Sequence, residues 1–162
     1  FAVDRTYMME GEFEGDNRPE AAITLSKSNF GPYPMGNGLT RLQTRFLGDP
    51  DHAAALADQK GNPLDAEAAD ENGLVTMILD DIDWDDEIRI FMEERASFSP
   101  DAMTGMEANL RFAGPETMET RIFGRLTAWQ NWIFTRPNAV GEDGALQSYG
   151  TGKRGKYNMD RV

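Results

Sequence analysis

The chain has 162 residues, 40% of them apolar, which is enough for one ordinary domain with a hydrophobic core. Its 28 acidic and 16 basic residues leave a formal charge of -12, so the phosphate backbone of a nucleic acid would be repelled. The chain has no Cys and a single His, His52, which excludes thiolate metal sites and leaves little room for a serine triad. No apolar run approaches the ~20 residues that cross a bilayer. We therefore expect a soluble cytoplasmic protein with neither nucleic acid nor a membrane among its partners.

The first half of the chain alternates strand-like and helix-like patterns. Two short β-branched apolar runs predict strands over residues 21–25 and 73–79. Between them, apolar spacing and helix-forming composition predict helices over residues 38–47 and 64–71, the second of which should stop at Asn72-Gly73. The acidic, turn-rich residues 10–20 predict an exposed loop or hairpin tip. A strand, helix, helix, strand order is typical of a layered α/β unit.

From Asp80 onward the patterns predict helices almost throughout. Asp83 can cap a helix over residues 84–98, and a second helical pattern covers residues 101–112. Pro115 suits the first position of a third helix, which ends before Arg136-Pro137. The last twenty residues predict one more short helix before they become basic.

The acidic clusters of the chain do not predict a metal site. Asp81, Asp83 and Asp85 alternate like calcium ligands, but the Gly and Glu that shape and close an EF-hand loop are missing. Carboxylate pairs such as Glu93 with Glu94 are plentiful in so acidic a chain, and none is distinguished by apolar surroundings. We therefore assign no metal, no cofactor and no catalytic residue from these patterns.

The tail of this anionic chain is basic. Four cations fall within nine residues, Lys153, Arg154, Lys156 and Arg161. One interpretation is a solvated terminus. The other is a site for a phosphorylated ligand, with Tyr157 available to pack against it. The pattern itself leaves both open.

Residues 29–50 form a loop rich in Gly and Pro around a short helical run. Its glycines allow a close backbone approach to a ligand, and a helix start offers free N–H groups to an anion. The segment lacks the ending of a P-loop and the spacing of a dinucleotide fingerprint. Spacing alone therefore indicates an ordinary loop that is suited to lining a site.

Three segments in order resemble the enoyl-CoA hydratase/isomerase (crotonase) superfamily. They are FGPYPMGNGLTRL at residues 30–42, LDAEAADENGLV at 64–75, and FTRPNAVGEDGALQSYGTGKRGKY at 134–157. The resemblance implies a crotonase-like layered α/β core with a helical C-terminal extension. Residues 1–79 would be the end of that core, and residues 80–162 the helical region.

The second half narrows the resemblance within the superfamily. Residues 98–146 resemble the C-terminal, degenerate crotonase-like half of ring-opening lyases of aerobic benzoyl-CoA degradation. The implied reaction opens the oxygenated, dearomatised ring of a benzoyl-CoA derivative, with water added and formate lost. The chain begins with Phe1 and not with Met, from which we expect a processed chain or a piece of a longer one.

The resemblance also suggests individual residues. Lys153 and Arg154 match the closing basic pair that lies near the nucleotide end of CoA in crotonases. Asn29 and Tyr33, in the loop, are the further candidates for contact with the acyl-CoA substrate. The family's oxyanion donors would lie before Phe1, and the count for its acid–base Glu lands on Lys27, which cannot do a carboxylate's work at neutral pH. This half is therefore expected to be structural or CoA-binding, not catalytic.

The resemblance implies two kinds of partner besides the acyl-CoA substrate. One is the catalytic crotonase half, in the same polypeptide or in another subunit, and the other is a second copy in a homo-oligomer. An alternative function is a non-catalytic scaffold, in which the helix of Trp129 and Trp132 mediates association.

Overall fold

The computed structural model describes residues 1, 3, 5–111 and 114–161, with the backbone alone for Arg111 and Arg161. The chain is 48% helical and 6% strand, with two small sheets, which confirms the expected mixture of helices and strands. The crotonase-like core remains a prediction. Two compact units are distinguished, Phe1–Arg89 and Ile90–Val162. The sequence-based boundary between residues 79 and 80 also remains a prediction.

The first unit contains four short strands in two separate sheets. Strand β1 (Tyr7–Met9) pairs in parallel with β4 (Met77–Leu79), Tyr7 opposite Met77. Strand β2 (Ile23–Thr24) pairs antiparallel with β3 (Pro63–Leu64). Because β1 and β2 belong to different sheets, the loop between them is not a hairpin, which corrects one of the two expectations for residues 10–20.

Three short α-helices lie between β2 and β4. They are α1 (Arg41–Arg45), α2 (Pro50–Ala55) and α3 (Ala66–Glu71). One-turn 3₁₀ helices cover Lys27–Phe30 and Leu56–Gln59. Sequence reasoning missed α2, although its Asp49-Pro50 start is a recognisable cap, with the Asp49 carboxylate accepting from His52 N.

Two boundaries in this unit differ from the predicted ones. The helix predicted from residue 64 begins at Ala66, because Asp65 caps it and Leu64 is hydrogen-bonded in β3. The strand predicted over residues 73–79 begins at Met77, because Gly73 has φ +65 and ends α3 with a turn. The predicted stop of the helix at Asn72-Gly73 is confirmed.

The core of the first unit joins its helices and sheets. Its buried members are aliphatic side chains and Met8, and they include four leucines that are almost fully enclosed. The cluster consists of Met8, Leu25, Leu42, Leu56, Leu64, Ala66, Ala69, Leu74 and Val75.

Two side chains hold the C-terminal end of α3. Arg45 Nε donates to Gly73 O at 2.6 Å, and His52 Nε2 lies 3.1 Å from Asn72 O. Phe46 packs edge-on against the His52 ring, with centroids 4.6 Å apart. Burial lowers the pKa of the Arg45 guanidinium from its usual range. A cation at a helix C-terminus stabilises the last carbonyls, so these contacts fix the turn into β4.

The second unit is helical. After α4 (Trp84–Ala96), whose start belongs to the first unit, come α5 (Pro100–Arg111) and a π-helical segment (Thr120–Leu126) that runs directly into α6 (Thr127–Ile133). Two single turns, α7 (Pro137–Val140) and α8 (Ala145–Ser148), and a 3₁₀ turn (Met159–Arg161) follow. The predicted start at Pro115 is wrong, because Pro115 lies in the bend that precedes the π-helical segment.

Helices α5 and α6 approach closely at a glycine. A Cβ built on Gly105 would lie 3.0 Å from Ile133 Cδ1 and 3.8 Å from the Trp129 ring. At the N-terminal end of α5, Arg136 Nε contacts the buried Asp101 carboxylate at 3.3 Å, and the guanidinium also lies over the Trp132 ring. Trp129 and Ile133 therefore face α5.

Candidate functional site

The Gly- and Pro-rich loop folds into a tight turn followed by a helix cap. Met35 N donates to Leu39 O, and Gly38 N donates to Met35 O, which closes a three-residue loop with Gly38 at φ +80. Thr40 then caps α1: its hydroxyl accepts from Gln43 N, while the Gln43 side chain accepts from Thr40 N. Turn geometry therefore accounts for Gly38.

The candidate residues of the loop have different surroundings. Asn29 Oδ1 accepts from Ser26 N at 2.8 Å and forms a reciprocal cap of the 3₁₀ turn, so its acceptor already has a structural role. Tyr33 is 75% exposed. Lys27 is exposed at the start of the same 3₁₀ turn.

The basic tail is fastened to the helical turns before it. Lys156 N donates to Asp143 O at 2.9 Å. The buried Asn138 side chain accepts from Asn158 N at 2.8 Å and donates to Asn158 O at 3.0 Å. The Asn138 amide thus pairs with the Asn158 backbone as a neighbouring β-strand would. Together with the Lys156 bond, this pairing fixes the backbone on both sides of Tyr157. Sequence reasoning missed Asn138, since nothing local marks an asparagine whose partner is twenty residues away.

Arg154 and Tyr157 line an open cleft of about 600 Å³ in the second unit. The rest of its lining comes from Gly155, from the last turns of α4 and from the residue after that helix, with Ile90, Glu93, Glu94, Ala96 and Ser97. Tyr157 folds back on the chain, and a Cβ at Gly155 would lie 2.5 Å from the Tyr157 hydroxyl. Gly155 therefore allows this ring position, and the cleft combines one cation, one aromatic ring and two carboxylates.

The structure brings part of the predicted tail site together. Among the described residues, neither Lys153 nor Arg154 has a side-chain hydrogen bond or ion pair, and both are exposed. Arg154 lines the cleft with Tyr157, and Lys153 is its neighbour in sequence. The Arg161 side chain lies outside the described residues. Asn29 and Tyr33 belong to the first unit.

The part of the chain that the structure describes contains neither a metal centre nor a membrane-spanning helix. Throughout the described ranges, no group of three or more His, Cys, Asp or Glu side chains is placed to hold a metal ion. None of the helices described is long and apolar enough to cross a membrane.

Comparison with known proteins gave a strong match. No family model matches the chain. The chain is 53% identical over 161 residues to benzoyl-CoA-dihydrodiol lyase of Aromatoleum evansii. The resemblance of residues 98–146 to ring-opening lyases of benzoyl-CoA degradation, which the sequence predicted, is confirmed. This likeness covers 99% of the chain and 28% of that lyase, in its C-terminal part. The chain thus spans less than a third of the length of the curated relative that it matches.

Proposed function

We propose that this chain is part of a carbon–carbon lyase that opens the oxygenated, dearomatised ring of a benzoyl-CoA derivative and releases formate. The observation that carries this proposal is the 53% identity over 161 residues to benzoyl-CoA-dihydrodiol lyase. Identity that runs through both units supports a common fold and a common role more strongly than a shared short motif would. The crotonase-like fold and a cytoplasmic location belong to the same proposal.

Within that enzyme, this segment binds CoA or supports the subunit and does not carry out the chemistry. The position that matches the family's acid–base Glu is Lys27, an exposed cation, and the neighbouring Asn29 is engaged in a helix cap. Neither group supplies a carboxylate for proton transfer. These two positions therefore favour a structural or binding role over a catalytic one.

The part of the segment best suited to CoA is the cleft of Arg154 and Tyr157. An exposed guanidinium that has no partner among the described residues can form paired hydrogen bonds with a phosphate. The adjacent Lys153 adds a second charge, and the half-buried Tyr157 ring offers an apolar face. Glu93 and Glu94 on the α4 side would repel a phosphate, so they restrict it to the Arg154 side of the cleft.

Titration of benzoyl-CoA into the chain, followed by Trp fluorescence, tests this assignment. Arg154→Glu should weaken binding about tenfold or more, because a charge-assisted hydrogen bond contributes about 1.5–3 kcal/mol. Arg18→Glu is the matched control: it makes the same change in net charge at an exposed loop, where Arg18 pairs with Asp16. Equal affinities for the two variants would contradict the assignment of Arg154 as a phosphate-binding residue.

A second candidate function is association, with a catalytic crotonase half or with another copy of the chain. The observation that favours it is the exposure of Phe123 (70%) and Leu126 (59%) in the π-helical segment. Trp129 packs toward α5 and is therefore not available for association. The candidate surface consists of Phe123 and Leu126, which precede the Trp pair in the chain. Phe123→Asp should lower the mass measured by light scattering if this surface associates, while benzoyl-CoA binding is retained. An unchanged mass would contradict association through this surface.

A further inference from the structure

The first unit contains two Asn-Gly sequences, Asn37-Gly38 and Asn72-Gly73, in opposite surroundings. An asparagine before glycine is open to attack on its side-chain amide by the next backbone nitrogen, because glycine has no Cβ to hinder the approach. We propose that Asn37 is a site of spontaneous deamidation in the folded chain, and that the fold protects Asn72. The inference does not depend on the proposed function.

The reaction needs only the chain and water. Gly38 N attacks Asn37 Cγ, a new C–N bond forms, and the side-chain amino group leaves as ammonia with the proton from Gly38 N. The resulting five-membered imide then adds water at one of its two carbonyls. Opening at one carbonyl gives an ordinary aspartate at this position, and opening at the other gives the isoaspartyl linkage, in which the chain passes through the former side chain.

Asn37 lies at the exposed tip of the three-residue loop, residues 36–38. Its Oδ1 accepts from Leu39 N at 3.1 Å, which draws electron density from the amide carbon. The attacking nitrogen, Gly38 N, donates to Met35 O at 2.9 Å. The bond that Gly38 N must release lies at an exposed loop tip, where local opening has a small free-energy cost, so the attack is accessible without loss of the core.

Asn72 is held at every group that the reaction must move. Its Nδ2, the leaving group, donates to Ala68 O at 2.7 Å, and Gly73 N, the nucleophile, donates to Asp70 O at 2.7 Å. Its own carbonyl contacts His52 Nε2 at 3.1 Å. The residue is half-buried at the end of α3. Attack there requires local unfolding of that end of the helix.

Deamidation at Asn37 would change both charge and backbone. Each event adds one negative charge to a chain whose formal charge is already -12. The isoaspartyl product also lengthens the main chain by one carbon inside the loop that Met35 and Leu39 close. The cap at Thr40 follows immediately, so the product should loosen the start of α1.

Peptide mapping by mass spectrometry tests the inference on the full chain. After incubation in mildly alkaline buffer, trypsin releases residues 28–41 and residues 61–89, which separate the two sequences. The gain of close to one dalton should accumulate at Asn37 at least about tenfold faster than at Asn72, the factor that an opening free energy of roughly 1.4 kcal/mol produces. In concentrated urea the two rates should become similar.

Equal rates in the folded chain, or a ratio that urea leaves unchanged, would overturn the proposal. Asn37→Ser is the control for the site, since residues 28–41 also contain Asn29. The mass gain in this peptide should disappear in that variant, and its persistence would place the reaction at Asn29 and contradict the assignment.

Discussion

The two units use different means to fix their structures. In Phe1–Arg89 the buried side chains are mainly aliphatic, and Leu25, Leu42 and Leu74 are almost fully enclosed. In Ile90–Val162 the buried side chains are small or polar, with Ser99, Asp101, Asn138 and Ala139, while larger apolar side chains such as Phe123 are exposed. Hydrophobic burial therefore stabilises the first unit, whereas specific polar contacts define the second.

Loss of the Arg136 side chain should have the largest effect. Asp101 is 2% exposed, and its Oδ1 contacts Arg136 Nε, so Arg136→Met removes a cation from a buried carboxylate. We expect a loss of about 3–5 kcal/mol in the free energy of unfolding, measured by urea denaturation. The double variant Asp101→Leu, Arg136→Met should recover most of that loss, because no buried charge remains. A double variant as unstable as Arg136→Met would show that the pair is not the cause.

Truncation of a core leucine in the first unit should give the next largest loss of stability. Leu74 is 0% exposed, so Leu74→Ala should cost about 3 kcal/mol through lost burial and the cavity left behind. The matched change in the second unit, Leu126→Ala, should cost less than about 0.5 kcal/mol because Leu126 is 59% exposed. Thermal melts of the two variants compare them directly. Similar losses would contradict the contrast between the units.

Loss of the Asn138 side chain, which fastens the basic tail, should lower the free energy of unfolding by a smaller amount. Asn138→Ala removes both hydrogen bonds to the Asn158 backbone, and we expect a cost of about 2 kcal/mol and a weaker affinity for benzoyl-CoA. Asn158→Ala is the control, because those bonds use only the Asn158 main chain, and the bond that its side chain accepts from Asp160 N is exposed and should contribute little. If both variants lose the same stability, the Asn138 side chain is not the anchor.

The cap of α1 should give the smallest effect. Thr40→Ala removes the acceptor for Gln43 N and should cost about 1 kcal/mol. Thr40→Ser keeps the hydroxyl and should recover most of that loss in the same denaturation experiment. Failure of Ser to restore stability would assign the effect to packing of the Thr40 methyl group.

Local chemistry made part of the fold predictable. Asn72-Gly73 indicated the end of α3, and the three-residue spacing of Thr40 and Gln43 contained the signal for the cap of α1. Strands β1 and β3 have three and two residues, and their existence depends on partners far along the chain. The π-helical segment follows helical apolar spacing, which does not distinguish its hydrogen bonding from that of an α-helix.

The candidate site was predictable in its charges but not in its surroundings. The contrast between a basic tail and an acidic chain pointed to Arg154 and Tyr157, which line one cleft. The α4 residues opposite them are about sixty positions away in sequence, so spacing could not place Glu93 or Glu94 there. The cap role of Asn29 was predictable, because Ser26 and Asn29 are three positions apart in sequence, which is the spacing of a reciprocal helix cap.

Hydrogen–deuterium exchange with and without benzoyl-CoA tests the central claim most directly, because it locates the binding surface. If this segment binds CoA through the second unit, added ligand should slow amide exchange in residues 93–97 and 153–158. The effect should be absent from the Arg154→Glu variant. Unchanged exchange in both segments at saturating ligand would contradict the account.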